Sequence, residues 1–193
     1  MTSALLVIDV QESFRQRASW AAVSNPFVVE RISSLVDAAR SRGELVVWVL
    51  HTEPGSGGPF DPSSGHVRLI PPLAATAGEP VVSKTSRNAF TTTNLQQLLT
   101  EAGVREVVVT GIQTEQCCET TARLAADYGY EVTFVTDATA TFPIPHRDAD
   151  ATGVDAILGD PRTLGTNAIV ERTEYALAGR FARIASTREL VAD

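Results

Sequence analysis

Val107-Val108-Val109-Thr110-Gly111-Ile112-Gln113-Thr114-Glu115-Gln116-Cys117-Cys118-Glu119-Thr120-Thr121-Ala122 joins a β-branched run to a helix-compatible segment. The run has the composition of a buried strand and ends at a glycine. A threonine able to cap follows, and a cysteine falls in the first turn of the helix that Glu115 to Tyr128 is expected to form. A helix N-terminus offers unpaired N–H groups and a positive dipole end, which favour a thiolate and can receive an oxyanion. The alternative is a buried, inert cysteine, since free cysteine packs well in cores. On such a helix Cys118 shares a face with Ala122, Ala125, Ala126 and Gly129, a strip suited to packing on a sheet. Cys117 points about 100° away. Cys117 is therefore the expected reactive thiol.

Outward from this stretch, strand and helix alternate. Ala4-Leu5-Leu6-Val7-Ile8-Asp9-Val10 is apolar except for Asp9, as in a central parallel strand with one acid at its end. Gln11-Glu12-Ser13-Phe14 reads as a polar turn. Phe27 to Arg42 carries Val28, Ile32, Leu35, Val36 and Ala39 at helical spacing. Strands are expected at Glu44–His51, Pro80–Lys84, Val104–Thr110 and Glu131–Thr136, with a helix at Thr93–Ala102. The segment from Thr52 to about Glu79 is rich in Gly and Pro and reads as a loop. An irregular segment of that length is usually functional, so Pro54 to Pro72 is expected to cover a pocket. Towards the C-terminus, Ala138–Pro145 reads as loop, His146–Leu158 and Ala168–Leu177 as helices, and Ala182–Ser186 as a last strand. The pattern is an α/β fold: a three-layer, Rossmann-like open sheet, mainly parallel, with helices on both faces, in one domain spanning residues 1–193.

Composition limits the partners. Of 193 residues, 44% are hydrophobic, and the formal net charge is −7. That balance argues against nucleic-acid or anionic-membrane surfaces, which need clustered Lys and Arg, and favours a small-molecule substrate. No apolar run of 18 residues occurs, and the chain enters a strand without a basic leader, so a cytoplasmic protein without a membrane span is expected. The two cysteines are adjacent and cannot staple distant segments.

In an open parallel sheet all strand C-termini share one edge, and ligands bind there. Asp9, Lys84 and Cys117 each stand at or just beyond the end of a different strand. The carboxylate can take the thiol proton, the ammonium can stabilise anionic states, and the thiolate can attack a carbonyl. The competing account is a structural Asp9–Lys84 ion pair. Phe14, Trp20 and His51 are the candidate pocket residues beside this edge.

Asp9 in Leu6-Val7-Ile8-Asp9-Val10-Gln11-Glu12-Ser13-Phe14, Lys84 in Ser83-Lys84-Thr85-Ser86-Arg87-Asn88-Ala89-Phe90, and Cys117 in Gly111-Ile112-Gln113-Thr114-Glu115-Gln116-Cys117 together resemble the isochorismatase-like cysteine hydrolases. The resemblance covers nearly the whole chain. It implies strand order 3-2-1-4-5-6 and a triad in which Asp9 is the base and later the acid, Lys84 stabilises charge, and Cys117 is the nucleophile. It further implies an oxyanion hole from the backbone N–H groups of Gln113 and Cys117, a cis peptide at Ile112-Gln113, and a homo-oligomer, dimer or tetramer. Nicotinamidases of this family carry an Asp-x-His pair and a further His on a metal. Here Val49 stands at the aspartate position, and His51 with a distant His66 is a poor ligand set, so neither metal nor other cofactor is expected. Isochorismatases proper often lack the cysteine, and its presence points to an amide, carbamate or related C–N bond. The alternatives are vinyl-ether hydrolysis with Asp9 as the acid, and a non-catalytic small-molecule-binding protein on the same fold.

Overall fold

The protein is described from a computed structural model over residues 2–149 and 152–192. Six strands form one sheet: β1 (Ser3–Ile8), β2 (Leu45–His51), β3 (Val81–Lys84), β4 (Glu106–Ile112), β5 (Glu131–Ala140) and β6 (Arg183–Ala185). Their order is β3-β2-β1-β4-β5-β6, and every neighbouring pair is parallel. The expected order holds, and the sheet is wholly rather than mainly parallel.

Alternation along the central strand builds two cores. Ala4, Leu6 and Ile8 face one side, where they join Leu95 and Leu99 of α3 (Leu95–Glu101), Ala122 and Ala125 of α4 (Glu119–Asp127) and Leu177 of α6 (Thr166–Leu177). Leu5 and Val7 face the other, packing with Phe14 of α1 (Glu12–Arg15) and with Val28, Ile32, Leu35 and Val36 of α2 (Val28–Ser41). Each large aliphatic side chain removed from water contributes about 1.5–3 kcal/mol, and on β1 both faces are covered. Helix α7 (Thr187–Val191) lies beside α2 and is closed by a capping box between Ser186 and Glu189.

Four expectations need correction. The turn at Gln11–Phe14 contains the short helix α1. The fourth strand continues past Thr110 to Ile112, and the fifth past Thr136 to Ala140, so Ala138–Ala140 is strand rather than loop. A bulge hid the second extension. The register passes from Val109↔Phe134 to Gly111↔Thr139, so β5 advances five residues while β4 advances two. Asp137, which makes the segment look like loop, accepts hydrogen bonds from the Thr187 N–H and hydroxyl at 2.6 and 2.9 Å. Finally, the helix expected at His146–Leu158 is reduced to α5 (Val154–Gly159); residues 150 and 151 lie outside the described residues, and Ile144 pairs with Leu164 in an isolated antiparallel bridge.

Candidate active site

Three strand ends deliver the three central side chains. Asp9 directly follows β1, Lys84 ends β3, and Cys117 lies in the turn after β4. Asp9 adopts a left-handed backbone, φ 55°, a region that Asp tolerates better than most residues but that still carries a conformational cost. Its N–H donates to Val49 O at 2.8 Å and its carbonyl accepts from the Gln11 N–H at 2.9 Å, which holds the turn. Gln11 braces it further, receiving the His51 N–H at 2.7 Å and donating to His51 O at 3.0 Å.

The turn carrying Cys117 is not the expected α-helical start. Thr114–Cys118 is a π-helical turn that passes into α4, and Thr114 makes no cap. Its hydroxyl instead donates to Thr139 Oγ1 at 2.9 Å, and the Thr141 hydroxyl donates to Glu115 Oε2 at 2.5 Å. The extended part of β5 and the residue that follows it therefore hold the turn in place. The peptide between Ile112 and Gln113 is cis, as the resemblance implied.

Lys84 Nζ lies 2.7 Å from Asp9 Oδ2 and 3.4 Å from Cys117 Sγ, and it donates to Ser86 O at 3.1 Å. Asp9 and Lys84 are fully buried, and Cys117 nearly so. Among the described residues neither Asp9 oxygen accepts a hydrogen bond of good geometry; the Lys84 approach is a charge contact at a poor angle. The lone pairs of Asp9 are thus left for another proton donor. Burial raises the Asp9 carboxyl above its ordinary range, against the opposing pull of the Lys84 ammonium. Burial, reinforced by the Asp9 charge, pushes the Cys117 thiol up to about 12. In the resting site the sulfur keeps its proton.

Asp9 and Cys117 line a cavity of ≈ 530 Å³, with Lys84 buried against them outside its lining. Phe14 and His51 line it as expected, and Gln113 borders it from the nucleophile's turn. Phe14 meets Phe60 edge-on at 5.0 Å and stacks on Phe142 at 5.9 Å, giving one aromatic wall. Trp20 does not reach the cavity; it packs one layer behind, 6.2 Å from the Phe142 ring. Cys118 is completely buried on the core side and is absent from the cavity lining. His51 places Nδ1 3.3 Å from Lys84 Nζ and Nε2 3.4 Å from Glu53 Oε1. Burial and the Lys84 charge lower its pKa, so its ring is neutral and its Nδ1 accepts from the ammonium. Both ring nitrogens face protein groups, Val49 is buried in the core, and among the described residues no cluster of His, Cys, Asp or Glu is placed to hold a metal. The residues present do not fit a metal site.

Only part of the long loop covers the cavity. Glu53, Pro59 and Phe60 line it, whereas Pro54–Gly57 is exposed. The remainder is stitched to the β1–α1 turn: Ile70 N–H donates to Val10 O, Glu12 N–H to Arg68 O, and the Ser13 hydroxyl to His66 O. His66 thus serves through its carbonyl. Sequence reasoning missed Arg17, Arg87, Gln116 and the wall from Phe142 to Pro145, all of which line the cavity. Their only signal was position in loops flanking the strand ends. A larger groove of ≈ 630 Å³ lies beside Asp137 and α6, with no cysteine in it, so size does not locate the chemistry.

The sequence and fold are shared with known proteins. A family model described as Isochorismatase domain matches residues 3–164. A streptothricin hydrolase of Streptomyces noursei is 40% identical over 144 residues, which are 74% of this chain and 56% of that protein. Nicotinamidase 3 of Arabidopsis thaliana is 34% identical over 155 residues, 72% of this chain and 74% of that one. Among solved structures, an isochorismatase from Pseudomonas putida KT2440 has a TM-score of 0.80 at 30% identity, covering 97% of this chain and 89% of that one. With a family match over most of its length and the same sheet beneath its cavity, this chain belongs to the isochorismatase family of hydrolases.

Proposed function

We propose that the protein hydrolyses an amide, carbamate or related C–N bond of a small molecule through a covalent intermediate on Cys117. The observation that carries this is the placement of Cys117 Sγ and the Asp9 carboxylate in the cavity lining, around one buried ammonium. The presence of a streptothricin hydrolase and a nicotinamidase among the similar proteins agrees with it, although the former is matched over only 56% of its length.

A thiol with a pKa near 12 is a poor nucleophile until its proton has somewhere to go. Asp9, its basicity raised by burial, takes that proton as sulfur attacks the carbonyl carbon. The carbonyl π pair moves to oxygen, which the N–H groups of Gln113 and Cys117 receive. On collapse the C–N bond breaks, and Asp9 returns its proton to the departing nitrogen, leaving an acyl thioester. Asp9 then takes a proton from water, whose oxygen attacks the thioester carbon. The C–S bond breaks, sulfur recovers the proton, and the acid leaves. The Lys84 amine, beside both Asp9 and Cys117, offsets whichever anion the site holds.

The raised carboxyl of Asp9 also supports a second reading, in which protonated Asp9 donates to a vinyl ether without the cysteine. Replacing Cys117 by Ala decides between them. Ammonia release from a panel of amides, ureas and carbamates should disappear in Cys117→Ala, and retained turnover of isochorismate by that variant would favour the second reading.

A further inference from the structure

Two positive charges border the cavity with no structural counter-ion. Arg17, between α1 and the 3-10 turn that follows, places its guanidinium carbon 5.9 Å from the Phe60 ring centre. Phe60 in turn sits 5.7 Å from the His51 ring, whose neighbour across the edge is Lys84. Arg87, after β3, lines the same cavity, and its charge opposes protonation of the same His51. Both arginines line the cavity and are exposed to it. The acids at the cavity are already engaged, Asp9 with Lys84 and Glu53 with His51. Neither Arg17 nor Arg87 forms an ion pair among the described residues.

The same cavity that holds both arginines and the sulfur is lined by the aromatic wall of Phe14, Phe60 and Phe142. Resting on the hydrolytic assignment above, we infer that Arg17 and Arg87 determine specificity by binding a carboxylate on the substrate, so that the substrate class is a small amide or carbamate carrying an anionic group beyond a flat or apolar spacer. The chain as a whole is acidic, with a net charge of −7, so a local pair of unmatched guanidinium groups is set against the global charge. Arginine's fixed fork suits a carboxylate and holds it by charge-assisted hydrogen bonds, whereas a cationic substrate meets repulsion at the same rim. Glu53 keeps its charge beside the neutral His51, but among the described residues of the lining it stands against two guanidinium groups, so the rim stays net positive.

The test uses three benzamides that differ in the charge of the para substituent: 4-carbamoylbenzoate, its neutral methyl ester, and 4-(aminomethyl)benzamide as the cation. Turnover is followed as ammonia release by the wild type, and binding as heat on mixing with Cys117→Ala, which reads charge preference without catalysis. The wild type should favour the anion over the ester by about tenfold in kcat/KM, the discount from a fully buried pair reflecting the exposure of both arginines. Arg17→Gln and Arg87→Gln should each raise KM for the anion with kcat nearly unchanged and leave the ester unaffected; Arg→Lys at either site should recover part of the loss. Preference for the ester or the cation, or an equal loss on all three compounds, overturns the inference. Charge-selective binding without any turnover would sink the C–N hydrolase assignment and leave the anion site standing. Cys117-dependent turnover indifferent to charge would do the reverse.

Discussion

A β-carbon on Gly111 would lie 1.9 Å from the carbonyl oxygen of Ile8. This contact joins the residue before Asp9 to the strand end before the nucleophile's turn. Gly111 has φ 124°, a conformation open only to glycine at acceptable cost. Gly111→Ala should therefore force β1 and β4 apart at their functional ends. A destabilisation of about 3 kcal/mol or more is expected, a drop in Tm of roughly 6–12 °C for a chain of this size. Thermal melts of the two proteins check it; an unchanged Tm would mean that the strands are not this close.

The two cysteines should differ in reactivity. Cys117 opens onto the cavity and Cys118 is packed at zero exposure against the apolar face of the sheet, with its thiol raised well above the ordinary value, chiefly by burial. Iodoacetamide labelling mapped by mass spectrometry should modify Cys117 first, with loss of activity tracking that modification. Faster modification of Cys118 would reverse the assignment.

Asp9 should set the acidic limb of the rate profile, and the direction of that limb identifies its role. As a base Asp9 must be ionised, so kcat/KM rises with pH through a midpoint above its ordinary 3.8. As the acid of a vinyl-ether hydrolase it must be protonated, and the limb on the same group falls instead. Because the Cys117 thiol ionises only near pH 12, its own ionisation adds no limb in the neutral range. A falling limb with an amide substrate would contradict the mechanism.

Asp61 should govern how well the loop presents Phe60. It accepts from the Gly57 N–H at 3.0 Å and from the Ser63 N–H and hydroxyl at 2.9 and 2.8 Å, and these bonds, Gly57 foremost, hold its pKa down to about 2. A depressed pKa stabilises the loop fully above the ordinary 3.8 and is lost as pH falls through about 2. Asp61→Ala should raise KM severalfold with little change in Tm, since the loop lies outside the sheet and its cores. Unaltered KM would separate Phe60 from substrate binding.

Much of the fold was readable along the chain because burial on two faces leaves continuous apolar strands, and one buried face leaves helical spacing, as in Leu5–Val10 and in Val28 to Ala39. The order of the strands came instead from three separated motifs whose resemblance spans the chain. What failed was non-local. Nothing near Thr136 announces that β5 resumes after a bulge, because the reason lies in its pairing with Gly111 and Ile112 and in Thr187, distant in sequence.

By itself, then, the sequence determined an alternating α/β chain and the edge at which an acid, an amine and a thiol meet, since period and composition record which faces are buried. The tertiary structure decided the rest. The π-helical turn is held by Thr139 of β5 and by Thr141 just after it, which bond Thr114 and Glu115, and the cavity wall is completed by Phe60 and Phe142, which no short-range pattern links to Phe14. Likewise Arg17 and Arg87 look like ordinary surface charges until folding places them on one rim. Contacts between loops are set by where strand ends lie in space, and local sequence carries no record of that separation.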